Sequence, residues 1–148
     1  MKQFHKMLKA GVTAWKIRRD WFGDSGVPVS PELAQQRADI CLKCPYNQEM
    51  PVWELFASAV AFAVKQQLKL KSELKLRVNG EENLHVCSAC LCVNSLKAWT
   101  PLKFILEYTE PEVMDSFHKE EPECWILLEQ QEQQNLQHDN KDQRISER

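Results

Sequence analysis

Two C-x2-C pairs constrain this 148-residue chain more than any other feature: Cys41 and Cys44 in ICLKCPYN, and Cys87 and Cys90 in HVCSACLC. Two residues between thiols let a tight turn aim both sulfurs at one ion, and two such turns complete a tetrahedral site for Zn2+. The 42 residues between the pairs exceed the spacing of a compact ribbon. They are read as an excursion, largely helical, that leaves the site and returns to it. The fold class expected is therefore mainly α: a small helical domain organised around a four-cysteine zinc knuckle or ribbon, with a short β-hairpin as an option and a disordered C-terminal tail.

The redox compartment decides between ligands and disulfides. The N-terminus interrupts any apolar core with Lys2, Lys6 and Lys9, unlike a secretory signal. The longest mostly apolar run, LFASAVAFAV at 55–64, is too short to span a bilayer. A cytoplasmic location follows as the expectation, and six clustered cysteines in a reducing compartment read as ligands. Cys92 and Cys124 remain outside the two pairs. A second metal would use Cys92, Cys124 and His118, and six thiols sharing two zincs through bridging sulfurs is the variant of that arrangement. An iron–sulfur cluster would draw on the same thiolates.

Competing chemistries fit less well. A thioredoxin-like redox pair needs a strand-turn-helix setting, which neither pair has. Haem attachment needs His after the second Cys, where Pro45 and Leu91 stand. A Cys87–His85 nucleophile lacks an orienting partner in the pattern, and no glycine-rich phosphate loop or carboxylate dyad is visible. No enzymatic activity is expected.

Outside the cysteines the chain divides into three segments. Residues 1–22 have the pattern of a basic amphipathic helix, with Phe4, Leu8, Val12 and Trp15 on one face and Lys2, Lys6, Lys9 and Lys16 on the other. Burying that apolar stripe in the core, with the lysines left to contact an acidic partner or phosphates, is the expectation. Residues 30–128 make the zinc-organised domain. Ser30-Pro31-Glu32 starts a helix, and Pro51 to about Gln67 reads as a central core helix. Residues 74–86 allow either a hairpin about Asn79-Gly80 or a helix that ends there. Thr100 before Pro101, and Thr109 with Glu112, have capping positions. Residues 129–148 are a Gln-rich polar tail.

Charge is unevenly spread. Residues 1–22 hold six Lys/Arg against Asp20 alone, whereas residues 107–148 hold twelve acidic residues against four basic ones. The overall charge of −2 conceals this polarity.

RADICLKCPYN, VCSACLCVNSLKAWTPL and the late ECW together resemble small zinc-ribbon-like proteins of phages and prophages. The shared pattern is C-x2-C-P, then C-x2-C-x-C with a basic, apolar continuation, then a last Cys beside Trp. It covers a minority of the chain, and Leu91 stands where such proteins often have Gly. The resemblance implies metal binding by Cys41, Cys44, Cys87 and Cys90, but no activity. The function expected is a non-enzymatic zinc-binding structural or adaptor protein of phage or prophage origin, acting on another protein in the host cytoplasm or in the virion. The alternative is a nucleic-acid-binding zinc protein. The basic first segment favours that alternative, and a pI of about 6.1 opposes it.

Overall fold

Local signals set most helix boundaries in the computed structural model, which describes residues 1–72 and 75–146. Ser30 caps helix α2 (Pro31–Lys43): its Oγ accepts from the Leu33 amide at 3.2 Å, and Pro31 occupies the first helical position. The helix delivers Cys41 in its last turn, and the chain turns sharply through Cys44, where the Asn47 amide bonds the Cys44 carbonyl at 3.0 Å. Asn47–Gln48 (β1) then pairs antiparallel with Val86–Cys87 (β2), with Asn47 opposite Cys87. This two-residue ladder sets the two C-x2-C turns side by side.

Helix α3 (Pro51–Ser72) extends past the expected end near Gln67. Neither reading of residues 74–86 holds for the described part. Residues 75–78 lie in an irregular segment with Leu76 and Val78 buried. Asn79-Gly80 makes a turn into a single 3-10 turn, Glu81–Asn83, and residue 74 lies outside the described residues. Strand pairing goes to β1 because Asn47 anchors that register: its side chain accepts from the His85 amide at 2.7 Å and donates to the Asn83 carbonyl at 2.9 Å.

Short helices α4 (Asn94–Lys97), α5 (Leu102–Tyr108) and α6 (Pro111–Asp115) lead to α7 (Trp125–Ser146). The expected hydroxyl caps do not form. Thr100 Oγ1 donates back to the Leu96 carbonyl at 3.2 Å, Pro101 precedes α5, and Glu110 precedes α6 without a side-chain cap. Pro111, at the first position of α6, fixes that start instead. Residues 131–141 continue α7 as a solvent-exposed helix.

Trp21, Trp99, Trp125, Leu68, Leu76 and Ile126 lie among the most deeply buried side chains of the core. Helix α1 (Lys2–Asp24) reaches that core through its C-terminal half. Trp21 is buried with its indole donating to the Val27 carbonyl at 2.9 Å, Tyr108 bonds Asp20, and Lys103 pairs with Asp24 at 2.7 Å. The expected burial of the apolar stripe is not what the fold does: Phe4, Leu8, Val12 and Trp15 are all exposed. Helix α1 docks through Ile17, Trp21 and Phe22, a different line of residues, which leaves the stripe pointing away from the core. Helix α3 differs from expectation in the same way. Ala61, Val64 and Leu68 face inward, while Leu55, Phe56, Val60 and Phe62 are exposed, so it flanks the core rather than centring it. No described helix is long and apolar enough to cross a membrane.

Candidate metal centre

Three segments bring cysteines together: the end of α2, strand β2 with the turn after it, and the residue before α7. Cys41, Cys44, Cys87 and Cys124 line a small cavity of about 10 Å³, with His118 and Lys97 completing part of its wall. That volume is about one water-sized sphere, which is also the scale of a single metal ion. Cys90 and Cys92 line a different space: a 720 Å³ cleft between α1 and α3. Lys97 belongs to both walls.

The second turn is tight. Cys87 N donates to the Cys92 carbonyl at 2.9 Å, and the Leu91 amide bonds the Cys87 carbonyl at 2.7 Å. Leu91 takes the left-handed conformation, φ 58°, which is uncommon for a residue other than Gly. Its carbonyl is held by the Trp53 indole at 2.8 Å, tying α3 to the turn. His85 is not directed at the thiols. Its Nδ1 lies 2.9 Å from Glu54 Oε1, at the start of α3.

Among the described residues, no three Cys, His, Asp or Glu side chains converge as a formed metal site. The four-cysteine organisation expected from the two pairs is thus not drawn together as such. The thiols are engaged with their neighbours, Cys41 Sγ donating to Asn94 Oδ1 at 3.8 Å. Of the paired cysteines, Cys41, Cys44 and Cys87 share the small cavity and Cys90 does not. The second-metal set is also divided: Cys124 and His118 line the cavity, whereas Cys92 faces the cleft.

Burial pushes the Cys41 thiol up to about 11, and raises Cys124. Cys87 is raised by its hydrogen bond with Cys90 and then by burial. Cys92 is lowered by its hydrogen bond with Cys90.

Two buried donors have no ordinary acceptor here. Lys97 is 6% exposed, and among the described residues no carboxylate pairs with it; its Nζ lies 3.8 Å from Cys90 Sγ. The Trp125 indole N–H, whose side chain lines the same cavity, is buried with no hydrogen-bond partner among the described residues. A buried ammonium and an unsatisfied indole are both costly beside neutral thiols. Both become favourable beside thiolates, and a divalent cation is what holds several thiolates together. By chemical type, the thiols lining the cavity and the ammonium beside them are groups a zinc site would use.

The sequence pattern did not single out Lys97, or Arg37, which braces the same region from α2. The buried Arg37 guanidinium stacks 4.0 Å over the Trp125 ring and bonds Glu129. The one available signal was Lys97 lying on the segment that leads out of the second cysteine cluster.

Lysines of the first helix lie along the cleft. Lys2, Lys6 and Lys9 line it, Lys9 pairing with Glu110 at 3.5 Å, while Lys16 is exposed and outside it. No family model, curated protein or solved structure matches the chain.

Proposed function

We propose that the chain is a non-enzymatic zinc-binding structural or adaptor protein, in which zinc held by the cysteine cluster fixes the fold that presents a protein-binding surface. The supporting observation is that thiols from α2, the turn after it, β2 and the residue before α7 line one ion-sized cavity together with Lys97, a buried cation that has no carboxylate partner among the described residues. When bound, zinc would supply a closed tetrahedral cross-link and no open coordination position for catalysis. Asn94 orients the first turn by accepting from Cys41 and donating to Asn47 Oδ1 at 3.0 Å. Trp125 and Lys97 favour thiolate charge from within the core.

The adaptor part rests on α1 and α3. Each exposes large apolar side chains along one face, Phe4, Leu8 and Trp15 on one helix and Leu55, Phe56 and Phe62 on the other. Runs of this kind mark interaction surfaces more often than isolated exposed residues do. A protein partner suits them better than nucleic acid, because apolar area rather than cationic area dominates, and Lys9 and Lys65 are already paired with Glu110 and Glu81. The motif resemblance supports a phage or prophage setting, and reduced thiols support a cytoplasmic one.

Native mass spectrometry of the purified full chain tests the reading by counting metal and subunits together. One zinc per chain is expected, with loss of that zinc in the Cys41→Ser/Cys44→Ser double variant. Full occupancy in the double variant would overturn it.

A further inference from the structure

We propose that Cys124, not Cys90, is the fourth zinc ligand, so that the ion is held by Cys41, Cys44, Cys87 and Cys124 and fastens α7 to the two cysteine turns. This rests on the zinc-binding reading and specifies its site. It departs from the matched-pair set, which spacing alone favours.

Two observations carry it. The first is placement. The ion-sized cavity is lined by those four cysteines, whereas Cys90, whose thiol bonds that of Cys87, lines the cleft with Cys92. The second is how firmly Cys124 is set, at the position before α7. Its amide donates to the His118 carbonyl at 2.8 Å, its carbonyl accepts from Leu127 at 2.9 Å, and the next two residues, Trp125 and Ile126, are among the most buried in the chain.

Lys97 lines the same cavity and also contacts Cys90 Sγ at 3.8 Å, so it offsets charge there without choosing among the ligands. A divalent cation with four thiolates has two net negative charges, and the Lys97 ammonium beside them reduces that to one. Each ligand thiol gives up its proton to solvent as its sulfur–zinc bond forms, and no oxidation or reduction is involved. The remaining pair, Cys90 and Cys92, stays as thiols lining the cleft.

The test uses the full-length chain loaded with one equivalent of zinc. N-ethylmaleimide labelling mapped by mass spectrometry should modify Cys90 and Cys92 while sparing Cys41, Cys44, Cys87 and Cys124, and all six should label once a strong chelator is added. Cys90→Ser should keep one zinc and, with cobalt in place of zinc, the spectrum of a four-thiolate site. Cys124→Ser should lose the metal. Because that variant could lose metal by misfolding, Cys124→His is the companion: it should bind cobalt with a band shifted to shorter wavelength, as for three thiolates and one imidazole. Protection of Cys90 with labelling of Cys124, or loss of zinc in Cys90→Ser with retention in Cys124→Ser, overturns the assignment while leaving zinc binding intact. A wild-type chain that takes up no zinc overturns both readings.

Discussion

Arg37 Nε and Nη2 meet the two carboxylate oxygens of Glu129 at 2.6 Å each, joining α2 to α7 next to the cysteine cavity. The remaining Arg37 nitrogen, Nη1, donates to the Ala98 and Thr100 carbonyls at 3.1 and 2.8 Å. One guanidinium thereby fixes the segment leaving the second cysteine turn, the start of α7 and, through its stacking on Trp125, the wall of the cavity. The arginine is nearly fully buried, so removing either partner strands the other's polar groups. Arg37→Ala should destabilise the chain by about 3 kcal/mol or more, the range for breaking a buried pair. Glu129→Gln keeps the shape and the carbonyl contacts and should cost less, about 1–3 kcal/mol. Urea unfolding monitored by tryptophan fluorescence checks the order; equal and negligible effects would show that the pair does not contribute.

Zinc removal should act on the tertiary contacts around the cavity before it acts on helix content. Trp99 and Trp125 are buried close to the cysteine segments, and their near-ultraviolet circular dichroism should collapse on chelation. Far-ultraviolet helicity should fall far less, because α1, α3 and the exposed part of α7 do not supply ligands. Thiols are mostly protonated at neutral pH, so reloading zinc should release protons, and the apparent enthalpy should depend on the buffer used. An unchanged near-ultraviolet spectrum after verified metal loss would remove the structural role.

Motifs with short-range chemistry were legible in the sequence, and relations between distant segments were not. The Ser30-Pro31 helix start depends on neighbours within a few residues, and it forms at its expected place. Residues 55–64 show what periodicity leaves open. The pattern established that α3 has an apolar arc, but the inward line through Ala61, Val64 and Leu68 takes only part of it. Which side is covered depends on where Trp53 meets Leu91 and Lys65 meets Glu81, contacts between segments that no local pattern encodes. Cys124 was visible beside Trp125. Its approach to Cys41 and Cys87 depends on α7 being brought back by Arg37, whose burial a single charged letter does not reveal.

Gly80 is a position where backbone geometry restricts the residue. Its φ is +77°, and an added Cβ would lie 2.9 Å from Leu42 Cδ1, the movable end of a side chain. The left-handed backbone is therefore the larger cost, and Gly80→Ala should destabilise by about 1–2 kcal/mol. Gly11→Ala should act oppositely. It lies within α1 with nothing near the added methyl, and should raise that helix's stability by about 0.5–1 kcal/mol. Chemical denaturation reads the first change, and hydrogen exchange of the α1 amides reads the second.

Two tryptophans of α1 separate the anchored half of that helix from its free face. Trp21 is 1% exposed, bonds the Val27 carbonyl and packs in the main core; Trp15 is 57% exposed, with Arg19 5.1 Å from its ring. Trp21→Ala removes a buried aromatic and should cost about 3–5 kcal/mol. Trp15→Ser removes a side chain that water already reaches and should change stability by no more than about 0.5 kcal/mol. Limited trypsin digestion extends the contrast along the helix. Lys2 and Lys6 precede the anchoring residues, so cleavage there should come before cleavage at Arg18, which bonds Gln67 at 3.1 Å, and well before cleavage at the buried Arg37. If Trp15→Ser instead destabilised the isolated chain as much as Trp21→Ala, the exposed stripe would be part of the folded core and unavailable to a partner. Preserved stability together with lost partner capture would assign Trp15 to the interface.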